Sequence, residues 1–161
     1  MKGLVLTIGA GVAALSLSYG LAAASASSSS ASAATRVGVA SSNLGRILVD
    51  GRGRTLYLFA KERHGKSACS GVCAAYWPPL IASGKPHAIA GARASLLGTT
   101  RRADGRLQVT YRRHPLYRFS GDTMRGLTSG QGLSDFGGKW WAVSPAGNKI
   151  TSTTGTPNPG Y

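Results

Sequence analysis

The chain has 161 residues, with 19 Lys and Arg against five acids, a formal charge of +14 and two cysteines. This length suits one domain with one core. The cations are scattered, with Arg101-Arg102 and Arg112-Arg113 the only adjacent pairs, which excludes a polybasic segment and a specific nucleic-acid reader built on one.

Residues 1–26 carry one cation at Lys2, an apolar run from Leu4 to Leu15 and the small residues Ala24-Ser25-Ala26, the pattern of a secretory signal peptide with its cleavage site. The run falls short of the roughly 20 apolar residues that span a bilayer, so no transmembrane segment is expected in the mature chain. No cysteine near the cleavage site offers a lipid attachment point. Residues 27–35 are Ser and Ala with one Thr and read as a flexible leader. The mature chain then carries 18 Lys and Arg against Asp50, Glu62, Asp104, Asp122 and Asp135, a charge of +13. Outside a cell such a surplus favours anionic envelope polymers or lipid head groups.

Residues 36–148 are expected to form the folded domain. Ile47-Leu48-Val49 and Leu56 to Phe59 read as strands, joined through Asp50-Gly51-Arg52-Gly53-Arg54, where two glycines allow a reversal. Period-two alternation is plainest in Thr55-Leu56-Tyr57-Leu58-Phe59 and in Leu107-Gln108-Val109-Thr110-Tyr111. Between them lie His64, Cys69 and Cys73, then Trp77-Pro78-Pro79-Leu80-Ile81, and Ala88 to Leu97, where a short helical turn is possible on pattern. A second hairpin runs from Leu107-Tyr111 through Arg112-Arg113-His114-Pro115 into Leu116-Phe119. Gly126, Gly130, Gly132, Gly137 and Gly138 then space short strands before Trp140-Trp141-Ala142-Val143. Residues 149–161 read as a flexible tail.

Sliding the chain against itself by 60 residues aligns Val49 with Val109, Arg52 with Arg112, Tyr57 with Tyr117, Phe59 with Phe119 and Glu62 with Asp122. Each copy continues to a Trp-led apolar stretch, so the domain reads as two diverged repeats, about 44–84 and 104–147, packed around a pseudo-twofold axis. The expected fold is all-β, a compact antiparallel sandwich or barrel built from these repeats.

The segments TLYLFAKE, CSGVCAAYWPPL, QVTYRRHPLYRFSGD, GLTSGQG and KWWAVSPAG resemble a bacterial secreted-repeat family with a Y-x(4)-D motif, also described as predicted lipoproteins with a Y-x-[FWY]-x-x-D signature. The resemblance covers most of the mature domain and implies no established activity. Glu62 departs from the motif by placing a longer carboxylate where the family has Asp, and the lipobox of many relatives is absent.

Tyr57 with Phe59, and Tyr117 with Phe119, share a strand face in each copy, with Glu62 and Asp122 following. Such rings and acids either build the core and bond turn amides or converge on a ligand, with Trp77 and Trp141 as further contact candidates. Adjacent Trp140 and Trp141 must point to opposite faces of a strand, one to the core. Glu62 and Asp122 also suit an acid and base pair of a hydrolase, which requires them roughly 5 to 9.5 Å apart. Cys69 and Cys73 in an exported chain read first as a disulfide. With His64 upstream they also offer a metal or redox site of two thiolates and an imidazole. His87 and His114 sit alone in other loops, no serine lies in a nucleophile elbow, and Gly130-Gln131-Gly132 lacks the context of a phosphate loop. With no cofactor motif and no catalytic set, the expectation is a secreted, non-enzymatic, envelope-associated or extracellular binding module with an anionic partner. The oligomeric state is open.

Overall fold

The computed structural model describes Gly3 and residues 34–152. The expected signal peptide, most of the leader and the end of the tail lie outside the described residues. The strands are β1 (Arg36–Ser42), β2 (Gly45–Asp50), β3 (Tyr57–Phe59), β4 (His87–Ala88), β5 (Leu97–Arg101), β6 (Leu107–Tyr111), β7 (His114–Pro115), β8 (Ser134–Asp135) and β9 (Gly138–Ala142). One short helix, α1 (Val72–Tyr76), follows β3, and a single 3-10 turn at Ala94–Leu96 occupies the stretch expected to hold a helical turn.

The strands form three small sheets ordered β2-β1-β4, β3-β9-β8 and β5-β6-β7. Pairing is antiparallel except for the two-residue contact of β1 with β4. The domain is therefore all-β and built from two repeats, and its sheets do not close into a barrel.

Both reversals form as hairpins. In the first, the Asp50 amide donates to the Arg54 carbonyl (2.9 Å) and the Leu56 amide to the Leu48 carbonyl (3.0 Å). In the second, Tyr111 pairs with His114, and the Leu116 amide donates to the Val109 carbonyl (3.0 Å). The second turn is thus one residue shorter. Leu48, not Val49, is the counterpart of Val109, and the uniform offset of 60 holds only after the turn. The tighter turn places Arg112 (φ 47°) and Arg113 (φ 66°) in the left-handed region, where the first turn uses Gly53 (φ 81°).

The two repeats meet through their motif tyrosines. Tyr57 and Tyr117 exchange both backbone hydrogen bonds, at 2.9 and 3.0 Å. Around them each repeat lends its Trp-led stretch to the other: β3 pairs with β9, while the Leu80 amide donates to the Leu116 carbonyl (2.9 Å). The stretches also reach the other repeat's first hairpin, with Leu48 donating to the Val143 carbonyl (2.7 Å) and Val109 to that of Leu80 (2.8 Å).

Alternation along these strands separates two buried clusters. Ile47, Val49, Tyr57, Phe59, Trp77, Tyr117 and Trp140 belong to one. Leu48, Leu56, Leu58, Leu80, Val109, Leu116 and Val143 belong to the other. The period of two in Leu56-Tyr57-Leu58-Phe59 is therefore aliphatic against aromatic, because both faces of the strand are covered.

Candidate functional site

The Tyr-x-Phe units build the aromatic cluster. Trp77 and Trp140, the leading tryptophans of the two repeats, stack with centroids 3.9 Å apart and planes 4° apart. Phe59 continues the stack on Trp140 at 4.1 Å, and Phe119 caps Trp77 at 4.5 Å. Tyr57 meets Trp77 edge-on at 5.5 Å, and Tyr117 meets Trp140 in the same way at 5.1 Å. Trp141 takes the opposite strand face, half-buried, with the Lys139 ammonium 5.8 Å from its ring.

The acids close the same structure by crossing between repeats. The Tyr57 hydroxyl donates to Asp122 Oδ2 at 2.5 Å, and Asp122 Oδ1 accepts the Ser129 amide at 2.9 Å. Reciprocally, the Tyr117 hydroxyl donates to Glu62 Oε1, which also accepts the Ala68 amide at 2.8 Å. Each motif tyrosine thus bonds the motif acid of the other repeat and not its own. Desolvation, reinforced by the neighbouring carboxylate, pushes both phenols above their ordinary range.

The two acids differ. Asp122 is 1% exposed and both its oxygens are bonded, whereas Glu62 Oε2 is buried without a partner among the described residues. Burial is the main force on Glu62 and raises its carboxyl to about 7, against the hydrogen bonds from Tyr117 and Ala68 and the charge of Arg102. Glu62 borders a cavity of about 240 Å³ with His64, Arg113 and His114, and one of about 540 Å³ with Phe59, His114 and Lys149. Asp122 lines neither.

A buried polar chain continues from Glu62. The Tyr117 hydroxyl lies 2.8 Å from Ser67 Oγ, which accepts from Arg102 Nη1 at 2.6 Å. Arg102 also donates to Gln108 Oε1 (2.7 Å) and to the Cys69 carbonyl (2.7 Å). Gln108 stands where the first repeat has Ile47, so this network belongs to one side of the pseudo-twofold axis.

Cys69 and Cys73 form a disulfide with Cα atoms 5.3 Å apart, and they are 1% and 7% exposed. Their sulfurs bond to each other, so the trio with exposed His64 offers no thiolate to a metal or to thiol exchange in this state. The loop orients α1, whose end seats Trp77 through its amide bond to the Cys73 carbonyl (2.8 Å).

Another constellation has no signature in the motif. Asp50, 3% exposed, ends β2 at a cleft of about 460 Å³ lined by Arg36, Arg52, Arg54 and Arg118. Its Oδ1 accepts the amides of Arg52 (2.8 Å) and Arg54 (3.0 Å), and its Oδ2 accepts Arg118 Nε (2.6 Å). Burial acts to raise this carboxyl, but the Arg54 amide and the Arg118 guanidinium outweigh it and hold it below the usual carboxylate range. Arg52 and Arg54 flank the turn in sequence. Arg118 reaches it only through the meeting of the repeats, a contact no local pattern announces.

A family model described as a secreted repeat of unknown function matches the chain at residues 38–81 and again at 98–144, one match to each repeat. No curated protein and no solved structure matches the chain.

Proposed function

We propose, for a chain that belongs to the family of secreted repeats of unknown function, that it is a non-enzymatic extracellular module holding an anionic partner by its cationic exterior. The chain is secreted, and no helix among the described residues is long and apolar enough to cross a membrane.

The observation that carries this reading is where the acids go. Asp50 is bonded to Arg118 and two turn amides, Asp104 to Arg106, and Glu62 and Asp122 to tyrosines of the core. Four of the five carboxylates of the mature chain are thus committed inside the fold or, for Asp104, to the neighbouring Arg102 and Arg106. The cations are not: of the 18 Lys and Arg of the mature chain, 15 are exposed, and among those Arg106 alone has an ion pair among the described residues. Selection for solubility needs no such separation, and a surface of one sign raises both the local concentration and the on-rate of oppositely charged partners. Closed aromatic stacking, bonded acids and joined cysteines all favour a structural duty for the motif and a binding duty for the surface.

Retention of the mature protein on an immobilised polyanion, beside a neutral polysaccharide matrix, tests the reading at about 50 mM and about 500 mM salt. Strong retention on the polyanion at low salt and release at high salt is expected. Equal retention on both matrices, or retention indifferent to salt, would overturn it.

A further inference from the structure

We propose that the cleft around Asp50 is the seat of this binding and takes the phosphoryl group of a phosphate diester, from a soluble phosphate polymer or from a phospholipid head group. The inference rests on the anionic-partner reading above and narrows it to one place and one chemistry.

Three parts of the chain bring four guanidiniums to one concavity: Arg36 opens β1, Arg52 and Arg54 flank the first turn, and Arg118 follows the axis tyrosine of the second repeat. Among the described residues Asp50 is the one carboxylate lining the cleft; it neutralises one of the four, leaving an excess of three positive charges. Its oxygens are already occupied by two amides and Arg118 Nε, so it serves as an internal brace and not as a competing anion. Because Arg118 binds through Nε, both its terminal nitrogens are left without an acceptor among the described residues. Arg54 Nε is buried 3.5 Å from Asp50 with no hydrogen bond. The side chains of Arg36 and Arg52 bond to nothing among the described residues and are exposed. Counterions for Asp50 alone would explain one or two of these arginines, not four.

Like charges crowded into a concave wall repel unless an anion joins them, and the wall focuses the field on whatever anion enters. Guanidinium forks match the paired oxygens of a phosphoryl group, and several around one centre fit its tetrahedral spread better than a planar carboxylate. Ile81 adds an apolar wall suited to the carbon arms of a diester. The second repeat has no equivalent: Tyr111 stands at the position of Asp50, and Arg112 spends its charge on the Ala146 carbonyl and Asn148.

The test titrates the mature protein with three probes: soluble poly(glycerol phosphate), vesicles of phosphatidylglycerol in phosphatidylcholine, and poly-glutamate. Arg36→Ala with Arg52→Ala is compared with Arg63→Ala with Lys66→Ala, which removes the same charge from exposed residues that line no part of the cleft. Thermal unfolding checks that both variants fold. The cleft variant should lose roughly tenfold or more in affinity for a phosphate probe while the control stays within about twofold. Binding confined to poly(glycerol phosphate), or to vesicles, bears the proposal out and identifies the source. Equal losses in both variants overturn the cleft, and poly-glutamate bound as tightly and lost as sharply overturns the phosphate chemistry; either outcome leaves the anionic-partner reading standing. Failure of the unmodified protein to bind any probe removes both.

Discussion

Glu62 and Asp122 occupy the same place in the repeat, yet one extra methylene gives them different electrostatics. Asp122 finds two donors for its two oxygens, while Glu62 brings its second oxygen into a buried position with none among the described residues. The folded state therefore prefers Glu62 protonated, with a carboxyl at about 7 against an ordinary value of 4.5. Because the folded pKa lies above the unfolded one, the associated stability is fully present below about pH 4.5 and is lost as pH rises through about 7. The loss is on the order of 2 kcal/mol, after allowing for the partial exposure of the side chain. Glu62→Gln keeps an acceptor for Tyr117 and Ala68 and cannot ionise. Chemical denaturation from pH 4.5 to 8 should show stability falling across the window in the unmodified protein and a flatter profile in the variant, which becomes the more stable of the two near pH 8. Parallel profiles would mean that Glu62 titrates alike in the folded and unfolded chains. That both acids follow their aromatic pairs was legible in the sequence. That each serves the opposite tyrosine was not, since spacing within a repeat carries no information about contacts between repeats.

At the scale of elements, the strands were readable because their alternation survives burial on both sides, only changing from polar against apolar to aliphatic against aromatic. The same local signals marked both hairpins. The one-residue slip between them stayed hidden because Arg112 and Arg113 take left-handed conformations that their residue type does not advertise. Helix α1 was missed for a different reason: five residues are too few to show a period or to nucleate a helix unaided. Its order comes from the disulfide and from burial of Cys73 beside Trp77. In the chain-entropy account, a bridge closing so short a loop contributes about 2 kcal/mol. Replacing both cysteines by serine should therefore lower stability by about 2 to 3 kcal/mol, the excess reflecting two buried hydroxyls, while the rest of the β domain survives. Denaturant unfolding with near-ultraviolet circular dichroism reads both quantities. A double variant that unfolds completely would make the bridge a condition of the whole fold, and one with no loss would leave α1 held by packing alone.

Across the whole molecule, the duplication seen in the sequence is also the construction principle of the core. Each repeat hands its Trp-led stretch to the other, the two axis tyrosines pair by backbone, and the stacked Trp77 and Trp140 come one from each copy. The cluster that excludes water is therefore an interface between repeats. Neither repeat has a closed core of its own. A half of some 60 residues is already near the lower limit for independent folding, and here it would also expose half of an aromatic stack. Separate polypeptides covering residues 34–91 and 92–152 should each lack a cooperative thermal transition and the near-ultraviolet signal of stacked indoles. Mixed in equal amounts they should recover both, because the backbone pairing and ring stacking that join the repeats need no covalent link between them. Mixtures doped with Trp140→Ala in the second half should recover much less, since that ring contacts Trp77, Phe59 and Tyr117 together. A cooperative transition in either half alone would show that the repeats are two small domains in contact. The crossed tyrosine and acid bonds would then be ornaments of an interface and not the closure of one core.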